Sequence, residues 1–405
     1  MNQYFRPDQA ASAQRLTDLA EDLAREHEVT VIAARPSYSV SGSDEAPRTP
    51  LRGLTVRRVP ATAFARVRTW QRLLNYLTYL VSASLAGMFL PRVDLLVAAT
   101  DPPLLSVVGL WLGRIHRAPF VHLMWDVQPD MSVAAGLIPR GWFARALSRL
   151  NRLAVTRATV VVVPTAAMGR TAVALGVAPE RVQVVPHWED LTVVAAGPKR
   201  GSFSRVHNLD GCFVVMYAGN HGLTQDLDRY LEVADRMRDL ADVRFVFIGD
   251  GAAKPALVAR AAALGLSNVT LLPYEPRAVM ADAFAAADVC LAPLAAGLTP
   301  FMLPSKVYTI LASGRPVLAA MDRSSDVAEM LEHHGCGVVV DPGDMGAVER
   351  QLRWWHAHRD EATAMGVRGR RLSETRFSRT VVTPRFAELV NRVDAPREPS
   401  LRGAP

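Results

Sequence analysis

The chain contains very little lysine, and this makes each lysine a candidate for specific chemistry. It has 46 basic residues in 405, but only Lys199, Lys254 and Lys306 are lysines. A lysine ammonium is a compact, flexible point charge, whereas arginine presents a planar fork. A lysine kept in an arginine-rich chain therefore indicates a position where a point charge suits an anionic ligand, with chance placement as the alternative.

Lys306 lies at the start of a short predicted helix over residues 305–312. Ser305 can cap this helix, Val307 begins an apolar pattern at helical spacing, and Gly314 suits its end. Unpaired N–H groups and the helix dipole favour negative charge at a helix start. Together with the Lys306 ammonium they predict a local anion site; the alternative is a lysine with no ligand.

Two glycine-containing turns repeat this pattern, each at the end of a predicted strand. Residues 217–222 read Tyr-Ala-Gly-Asn-His-Gly, and residues 249–251 read Gly-Asp-Gly with Lys254 shortly after. Glycine lets the backbone approach a phosphate closely, and the following helix start offers N–H donors. The spacing is not the GxGxxG of dinucleotide-binding proteins. The alternatives are an ordinary tight turn and a solvated lysine at a helix start.

The elements around these turns alternate between strand and helix along almost the whole chain. Such alternation predicts an α/β fold of doubly wound parallel sheets, with ligands at the carboxyl ends of the strands. Residues 197–202 form the clearest linker. The predicted strands lie at 29–34, 94–99, 120–124, 159–163 and 182–185, and then at 213–217, 245–248, 269–272, 289–292, 317–320 and 337–340.

Length and composition bound the class of protein. A chain of 405 residues suits two domains of about 200 residues. We predict domains over 1–190 and 191–376, a helix over 377–394 and a frayed tail over 395–405. The three cysteines have no CxxC spacing, which indicates free thiols in a reducing compartment. The net charge of +7 suits an acidic ligand or an anionic membrane. Nucleic acid is not expected, because no basic run is interleaved with aromatic residues.

Residues 73–90 form an uncharged stretch flanked by arginines. Its length just reaches that of a membrane span. Polar residues such as Asn75 and Ser82 dilute it, and a span would separate strands that should share a sheet. A buried core helix, an interfacial helix aided by Trp70 and Tyr76, and a membrane span all stay open, in that order of preference.

Several stretches in fixed order carry a resemblance to a known family. They are residues 4–8 (Tyr-Phe-Arg-Pro-Asp), 11–16, 101–103 (Asp-Pro-Pro), 125–130 (Trp-Asp-Val-Gln-Pro-Asp), 185–190 (Val-Pro-His-Trp-Glu-Asp), 217–222, 248–251 and 303–320. The set resembles the retaining glycosyltransferases of family 4, and within them the branch that builds bacterial capsule, colanic-acid-type and O-antigen polysaccharides. Each stretch alone is a weak signal of the family, but the set in the family's order is a strong one. The resemblance covers roughly residues 1 to 390.

This resemblance implies a GT-B fold, in which two Rossmann-like domains face a cleft and the C-terminal helix packs back on the first domain. It implies a UDP- or GDP-linked sugar donor, and neither a metal nor a cofactor is expected. The basic first domain and the segment from Trp70 to Leu90 suit an anionic inner membrane surface, so we expect a lipid-linked saccharide acceptor and a cytoplasmic protein that is peripheral at that membrane face. The implied catalytic residues are Asp126, Lys254 and Lys306. The implied donor-binding residues are Gly219, Asn220, His221, Gly222, Gly249, Gly251, Tyr274, Thr299, Ser305 and Thr309. The implied acceptor-side residues are Ala10, Ala11, Arg15 and Asp130.

The sequence departs from the family pattern at two places. Many relatives carry two glutamates eight residues apart, for the sugar and for the ribose hydroxyls, and those positions hold Phe301 and Thr309. Relatives also begin with an apolar strand central to the first sheet, whereas here the chain begins almost at the following loop. We therefore expect the first strand to be missing, as if the start codon were assigned too late.

Three other interpretations stay open. The missing glutamates suit an inactive nucleotide-sugar-binding partner of another transferase, and the shared architecture suits a nucleotide-sugar 2-epimerase. Asp226 and Asp228 have the spacing of the metal-binding acids of the other large glycosyltransferase fold, although acids in a first helical turn also suit the helix dipole.

Two single residues have alternatives as well. Asp126 could serve a turn or cap a helix instead of acting in the site. His122 lies within a strand and is expected to be a histidine whose hydrogen bonds are satisfied within the sheet.

Overall fold

A computed structural model describes residues 1–8, 10–36, 52–64, 69–136 and 138–394. The predicted tail over 395–405 and most of the predicted loop over 35–50 lie outside the described residues. Within them the fold is α/β with two domains built on parallel strands, as the alternation of strands and helices predicts.

The first domain contains six strands and six helices in the described residues. The strands are β1 (Val29–Ala34), β2 (Leu54–Val59), β3 (Leu96–Ala98), β4 (Phe120–Leu123), β5 (Val160–Val163) and β6 (Val182–Val184). The helices are α1 (Ala11–Leu23), α2 (Thr69–Met88), α3 (Leu105–His116), α4 (Asp130–Ala134), α5 (Trp142–Thr156) and α6 (Ala166–Ala174). All strand pairs are parallel, in the orders β1-β2 and β3-β4-β5-β6.

The gap between these two groups of strands is bridged by the start of the chain. The amino group of Met1 donates to Val97 O at 2.7 Å, and Ala99 N–H donates to Met1 O. On the other side, Ala34 N–H donates to Gln3 O at 3.0 Å. We expected the place of the first strand to be vacant, and this is wrong, because the backbone of residues 1–3 pairs with β1 on one side and with β3 on the other. If residues 1–3 count as strand 1 and β1 to β6 as strands 2 to 7, the strand order is 3-2-1-4-5-6-7.

The second domain contains a six-stranded parallel sheet in the order β9-β8-β7-β10-β11-β12. Its strands are β7 (Phe213–Ala218), β8 (Val243–Ile248), β9 (Val269–Leu272), β10 (Val289–Pro293), β11 (Val317–Ala320) and β12 (Gly337–Val340). Its helices are α7 (Ser202–Val206), α8 (Asp228–Arg236), α9 (Lys254–Ala263), α10 (Arg277–Ala286), α11 (Lys306–Ala312), α12 (Asp326–His333), α13 (Met345–Ala357) and α14 (Arg359–Leu372). This is the 3-2-1-4-5-6 order of dinucleotide-binding domains, whose crevice lies where the order reverses. Here that point is between β7 and β10.

The central strands of the second sheet are covered on both faces. Every residue of β10 and β11 is buried, which explains their uninterrupted apolar sequences. The sheet therefore forms a rigid base, and the loops at its carboxyl edge are fixed by it.

The last helix, α15 (Arg379–Asp394), packs on α1 of the first domain. Arg379 at its start pairs with Asp18, Asp22 and Asp190, and also with Glu21. The surrounding carboxylates raise the pKa of the Arg379 guanidinium above its ordinary value, against the effect of its burial. This multiple pairing holds the C-terminal helix on the first domain.

Helix α2 covers most of the uncharged stretch. Its Tyr79 and Ala83 are fully buried, and the Tyr79 hydroxyl donates to Ile32 O of β1 at 3.0 Å. No helix in the described part of the chain has the length and apolarity needed to cross a bilayer. One face of α2 therefore belongs to the core, which agrees with the preferred interpretation of this stretch, whereas the alternative of a membrane span does not hold for this helix.

Candidate functional site

Two glycine turns cross each other at the carboxyl edge of the second sheet. The first follows β7 and the second follows β8, which are neighbouring strands. Gly219 N–H donates to Ile248 O at 2.9 Å, and His221 N–H donates to Asp250 O at 2.8 Å. Ala253 N–H in turn donates to His221 O at 2.9 Å. The backbone of one turn thus fixes the backbone of the other.

The crossing leaves no room for a side chain at Gly249. Its φ is +144°, and a Cβ atom placed there would lie 1.9 Å from Gly219 O. Gly251 has a φ of +153° and a comparable contact with His221 O. Glycine is therefore required at both positions by conformation and by close approach.

Replacing Gly249 with alanine is expected to force the two turns apart and to destabilise the second domain by about 3 kcal/mol or more. A thermal melt followed by circular dichroism measures this loss. The matched control is Gly265→Ala, because Gly265 also has a positive φ, +60°, but has open space around it. Gly265→Ala reports backbone strain alone, and equal melting temperatures for the two variants would contradict the close approach.

Lys306 reaches the crossing turns from the other side. Its Nζ lies 3.8 Å from the centroid of the Tyr217 ring and donates a hydrogen bond to the Tyr217 hydroxyl. A Cβ on Gly219 would lie 3.5 Å from Lys306 Nζ. Burial lowers the pKa of Lys306 to about 7, because an ammonium in this position has lost its water.

Lys254 approaches the same point as the first residue of α9. Its Nζ donates to the carbonyl oxygens of Gly249 and Leu272, at the ends of β8 and β9. Burial lowers the pKa of Lys254 as well, while the Asp250 carboxylate opposes this shift. The ammonium thus rests on the strand ends beside the crossing turns.

His221 lies between the two lysines. It is fully buried, and neither ring nitrogen makes a hydrogen bond of good geometry within the described structure, although the Ile248 backbone interacts with the ring. Burial, Lys254 and Lys306 together lower its pKa to about 4, so the ring is neutral at physiological pH. A buried polar side chain without a partner is costly, and a ligand that accepts an N–H would remove this cost. The structure therefore brings Gly219, His221, Gly249, Lys254 and Lys306 to one place.

The remaining predicted donor residues lie around this centre or at the domain boundary. Tyr274 donates its hydroxyl to Asp250 O at 3.3 Å. Ser305 precedes α11, but its side chain makes no capping hydrogen bond, so the predicted cap is wrong.

Thr309 donates to Glu189 Oε2 at 2.5 Å. The Thr309 hydroxyl donates its proton here and keeps its acceptor lone pairs, so its role in donor binding stays a prediction. Asn220 and Gly222 lie in the first turn beside His221.

Thr299 is half-buried between the domains, in the loop after β10, and its hydroxyl oxygen is buried. Its hydroxyl has no partner among the described atoms, and it lines a small closed cavity with Thr165, Met302 and Asp326. The domains touch here, because Val127 N–H donates to Phe301 O at 2.7 Å and Asp326 accepts from Ala167 N–H at 2.6 Å. The cleft is closed at this end.

Asp126 faces this boundary from the first domain. It follows β4, and its backbone forms an antiparallel bridge with Met302. Burial, aided by the neighbouring Asp101 carboxylate, raises the pKa of Asp126 to about 7. A carboxyl group in this state exchanges a proton near neutral pH.

The other acceptor-side predictions fall into two groups. Ala10 and Ala11 begin α1, whose Ser12 donates to Asp101 at 3.0 Å, so this helix start lies at the cleft. Arg15 is buried and joins the domains, since it donates to Trp188 O and to Ser305 O, each at 3.3 Å. Asp130 accepts from Ser148 of α5 at 3.0 Å and supports the loop.

Sequence reasoning missed two residues of the site. Tyr217 reads as the last apolar residue of a strand, and only its contact with Lys306 gives it a role in holding that ammonium. Glu189 lies near the domain boundary, 3.7 Å from Arg15 and bonded to Thr309. Nothing in the local sequence marks either contact, because each joins residues more than 80 positions apart.

Other predicted alternatives concern titratable groups outside this centre. His122 is buried in β4 and its Nδ1 lies 3.1 Å from Ala98 O, so it is a satisfied sheet histidine. Burial lowers its pKa to about 4. Asp228 lies 3.6 Å from Arg260. No group of three or more metal-ligating side chains occurs in the portion of the chain that the structure describes.

Two family models match the chain. The glycosyl transferase 4-like domain matches residues 11–188, and the glycosyl transferases group 1 model matches residues 212–357. Together they cover most of both domains, and the two models follow one another in chain order.

Curated relatives and solved structures agree with these matches. The chain is 26% identical over 345 residues to a protein of Escherichia coli (strain K12) named colanic acid biosynthesis glycosyl transferase WcaI, covering 82% of this chain and 84% of the relative. It is 27% identical over 267 residues to glycosyltransferase WbjE of Pseudomonas aeruginosa, covering 64% and 66%. Anabaena HepE in complex with UDP-glucose has a similar fold, with a TM-score of 0.73, 16% identity and coverage of 96% and 98%. WaaG, a glycosyltransferase of lipopolysaccharide biosynthesis, has a TM-score of 0.70 with 17% identity and the same coverage.

Proposed function

This chain belongs to the family 4, group 1 glycosyltransferases of GT-B fold, and from that premise we propose its donor, its acceptor and the course of its reaction. The donor is a UDP- or GDP-linked sugar, and the acceptor is a lipid-linked saccharide of cell-envelope polysaccharide synthesis. The sugar is transferred with retention of its anomeric configuration. The catalytic residues are Lys254, Lys306 and Asp126.

One observation carries the donor assignment. Two lysine side chains and a buried neutral histidine surround crossing glycine turns beside the point where the strand order of a Rossmann-type sheet reverses. A diphosphate fits this place, because it offers several acceptor oxygens and negative charge where the backbone approaches closely. HepE, a structural neighbour, was solved with UDP-glucose and with UDP and glucose, which supports a nucleotide-sugar donor.

The acceptor assignment comes from the relatives. One is named for colanic acid biosynthesis, and a structural neighbour for lipopolysaccharide biosynthesis. A growing envelope polysaccharide is carried on lipid, so the acceptor would meet the first domain at a membrane. Ala10, Ala11 and Arg15 at the start of α1 and Asp126 opposite them would border the acceptor.

The reaction breaks the bond between the anomeric carbon and the diphosphate oxygen, and forms a bond between that carbon and an acceptor hydroxyl oxygen. Negative charge grows on the departing diphosphate, where Lys254 and Lys306 stabilise it. The same phosphate takes the proton of the acceptor hydroxyl on the face from which it leaves. This course needs no protein base, and Asp126 then positions the acceptor or the transferred sugar.

A second candidate function rests on the absence of carboxylates at positions 301 and 309. With Phe301 and Thr309 there, and with Thr309 bonded to Glu189, the chain could bind a nucleotide sugar without transferring it. It would then act as an inactive partner of another transferase.

One experiment separates the two functions. Thermal-shift titration with UDP and with GDP first identifies the nucleotide, and a panel of sugars on that nucleotide is then incubated with a lipid-linked saccharide acceptor. Release of the nucleotide that depends on the acceptor supports transfer. Binding without release supports the inactive partner, and binding of neither nucleotide would overturn the donor site.

A further inference from the structure

We propose that the outer side of α2, α3 and α5 docks the protein on an anionic membrane monolayer. This docking face belongs to the first domain, and its relation to a lipid-linked acceptor rests on the function proposed above. The three helices lie side by side on one face of the first sheet, with α2 against α3 and α3 against α5. The other face of the sheet is covered by α1 and α15.

Helix α2 and the residue that follows it expose a continuous apolar stripe. Trp70, Leu73, Leu77, Val81, Leu85 and Phe89 recur at spacings of three and four, and each is exposed. Residues at these spacings lie on one side of a helix. Tyr79 and Ala83 on the opposite side are fully buried, so the exposed stripe is a second apolar face rather than part of the core.

The neighbouring helices continue this apolar surface. Trp111 and Ile115 of α3 are exposed, and Trp142 at the start of α5 is 76% exposed. Leu150 and Leu153 farther along α5 are also exposed. More than half of the large exposed apolar side chains of the described chain lie on or directly after these three helices. A contiguous apolar surface of this kind indicates an interaction site.

The charges identify the partner. The three helices contain no Asp or Glu. Helix α5 carries three exposed arginines, Arg145, Arg149 and Arg152. Arg114 on α3 is exposed as well. An apolar surface with tryptophans and arginines but no acid is complementary to anionic headgroups above acyl chains.

A second copy of this chain fits the surface less well. A twofold contact places the same patch on both sides, so the arginines of one copy would face those of the other. Like charges across an interface cost several kcal/mol. A protein partner would need both an apolar and an acidic surface, and a membrane supplies both without a specific partner.

The orientation of the helices relates this surface to the cleft. Each of the three helices precedes or follows a parallel strand and begins at the carboxyl edge of the first sheet, where Asp126 lies. Trp70 and Trp142 are therefore at the cleft end of the docking face. A chain held by this face would present its acceptor side to a lipid-linked substrate.

Flotation on a density gradient tests the proposal without any sugar transfer, so its result is independent of the proposed reaction. The vesicles contain phosphatidylglycerol and phosphatidylcholine in equal parts, or phosphatidylcholine alone. We expect the wild type to float with the anionic vesicles and largely to stay behind with the neutral ones. The double variant Leu77→Glu, Val81→Glu should lose at least tenfold in partition constant, since both side chains are more than half exposed and the change spares the core.

Matched variants test whether a loss of vesicle binding is specific to the docking face or a general effect of added negative charge. Val206→Glu with Val367→Glu makes the same change at exposed positions of the second domain and should leave flotation unchanged. Arg145→Glu with Arg149→Glu should weaken binding by about fivefold or more for each arginine. Arg371→Glu with Arg376→Glu alters the net charge equally and should have little effect.

Three results would overturn the proposal. The first is a wild type that does not float with anionic vesicles. The second is a Leu77→Glu, Val81→Glu variant that folds, as judged by circular dichroism, and floats like the wild type. The third is sedimentation of the wild type as a dimer that this variant dissociates, which would assign the face to contact between copies.

Discussion

Replacing Lys254 with alanine is expected to lower turnover by on the order of a hundredfold, the usual cost of removing one charge-stabilising group from a transition state. The ammonium rests on Gly249 O and Leu272 O beside the crossing turns. In the proposed reaction, breaking the sugar–phosphate bond leaves the diphosphate with more negative charge in the transition state than in the ground state. The loss should therefore appear mainly in kcat, with a smaller change in KM. Nucleotide release at saturating donor measures it.

Lys199→Ala is the matched control for this experiment. Lys199 is the third lysine of the chain and pairs with Asp288 ahead of β10, at the edge of the sheet opposite the site. Its loss should reduce thermal stability while leaving turnover per folded molecule unchanged. A folded Lys254→Ala variant with near-normal turnover would remove Lys254 from the mechanism.

The second large effect is a fall in kcat/KM above about pH 7. The pKa of Lys306 is lowered by burial to about 7, so the free protein carries the ammonium below this pH and loses it above. Because kcat/KM reports the free protein, it should fall by about tenfold per pH unit on the alkaline side. A diphosphate favours the charged form, so kcat should begin to fall only at higher pH.

Two variants assign this ionisation. Lys306→Arg keeps its charge at all these pH values and should flatten the alkaline fall, at the cost of lower overall activity. Asp126 titrates in the same range, since its pKa is raised to about 7, but in the opposite sense, because it gains charge as pH rises. Asp126→Asn should therefore keep the alkaline fall. An alkaline fall that disappears in Asp126→Asn and persists in Lys306→Arg would assign the titration to the carboxyl group instead.

Much of the fold could be predicted because parallel strands buried on both faces have uninterrupted apolar sequences. Strands β10, β11 and β12 are predicted in this way, whereas the glycines predict the turns after β7 and β8. Strand β2 was missed because Arg57 and Arg58 interrupt its apolar pattern. Helix α14 contains Gly366, and glycine is unfavourable inside a helix. The structure shows that this glycine permits close packing, since a Cβ there would lie 2.1 Å from Gly314 O.

The site was less predictable than the fold, for a physical reason. The sequence indicates which residues end strands and begin helices, and this brought Lys254, Lys306 and His221 to the correct edge of the sheet. It does not indicate which side chain contacts which across long separations. The contact between Lys306 and Tyr217, and the bond from Thr309 to Glu189, depend on the packing of whole elements.

The passage of the chain between the domains has a consequence for motion. The backbone leaves the first domain after Glu189 and returns at Ser378, and these two segments lie side by side, with Glu189 N–H donating to Phe377 O and Arg379 N–H donating to Glu189 O. Because the two crossings are adjacent, we expect any opening of the cleft for substrate exchange to pivot at this one place. Proteolysis within residues 197–202 should leave the two lobes joined through the second crossing.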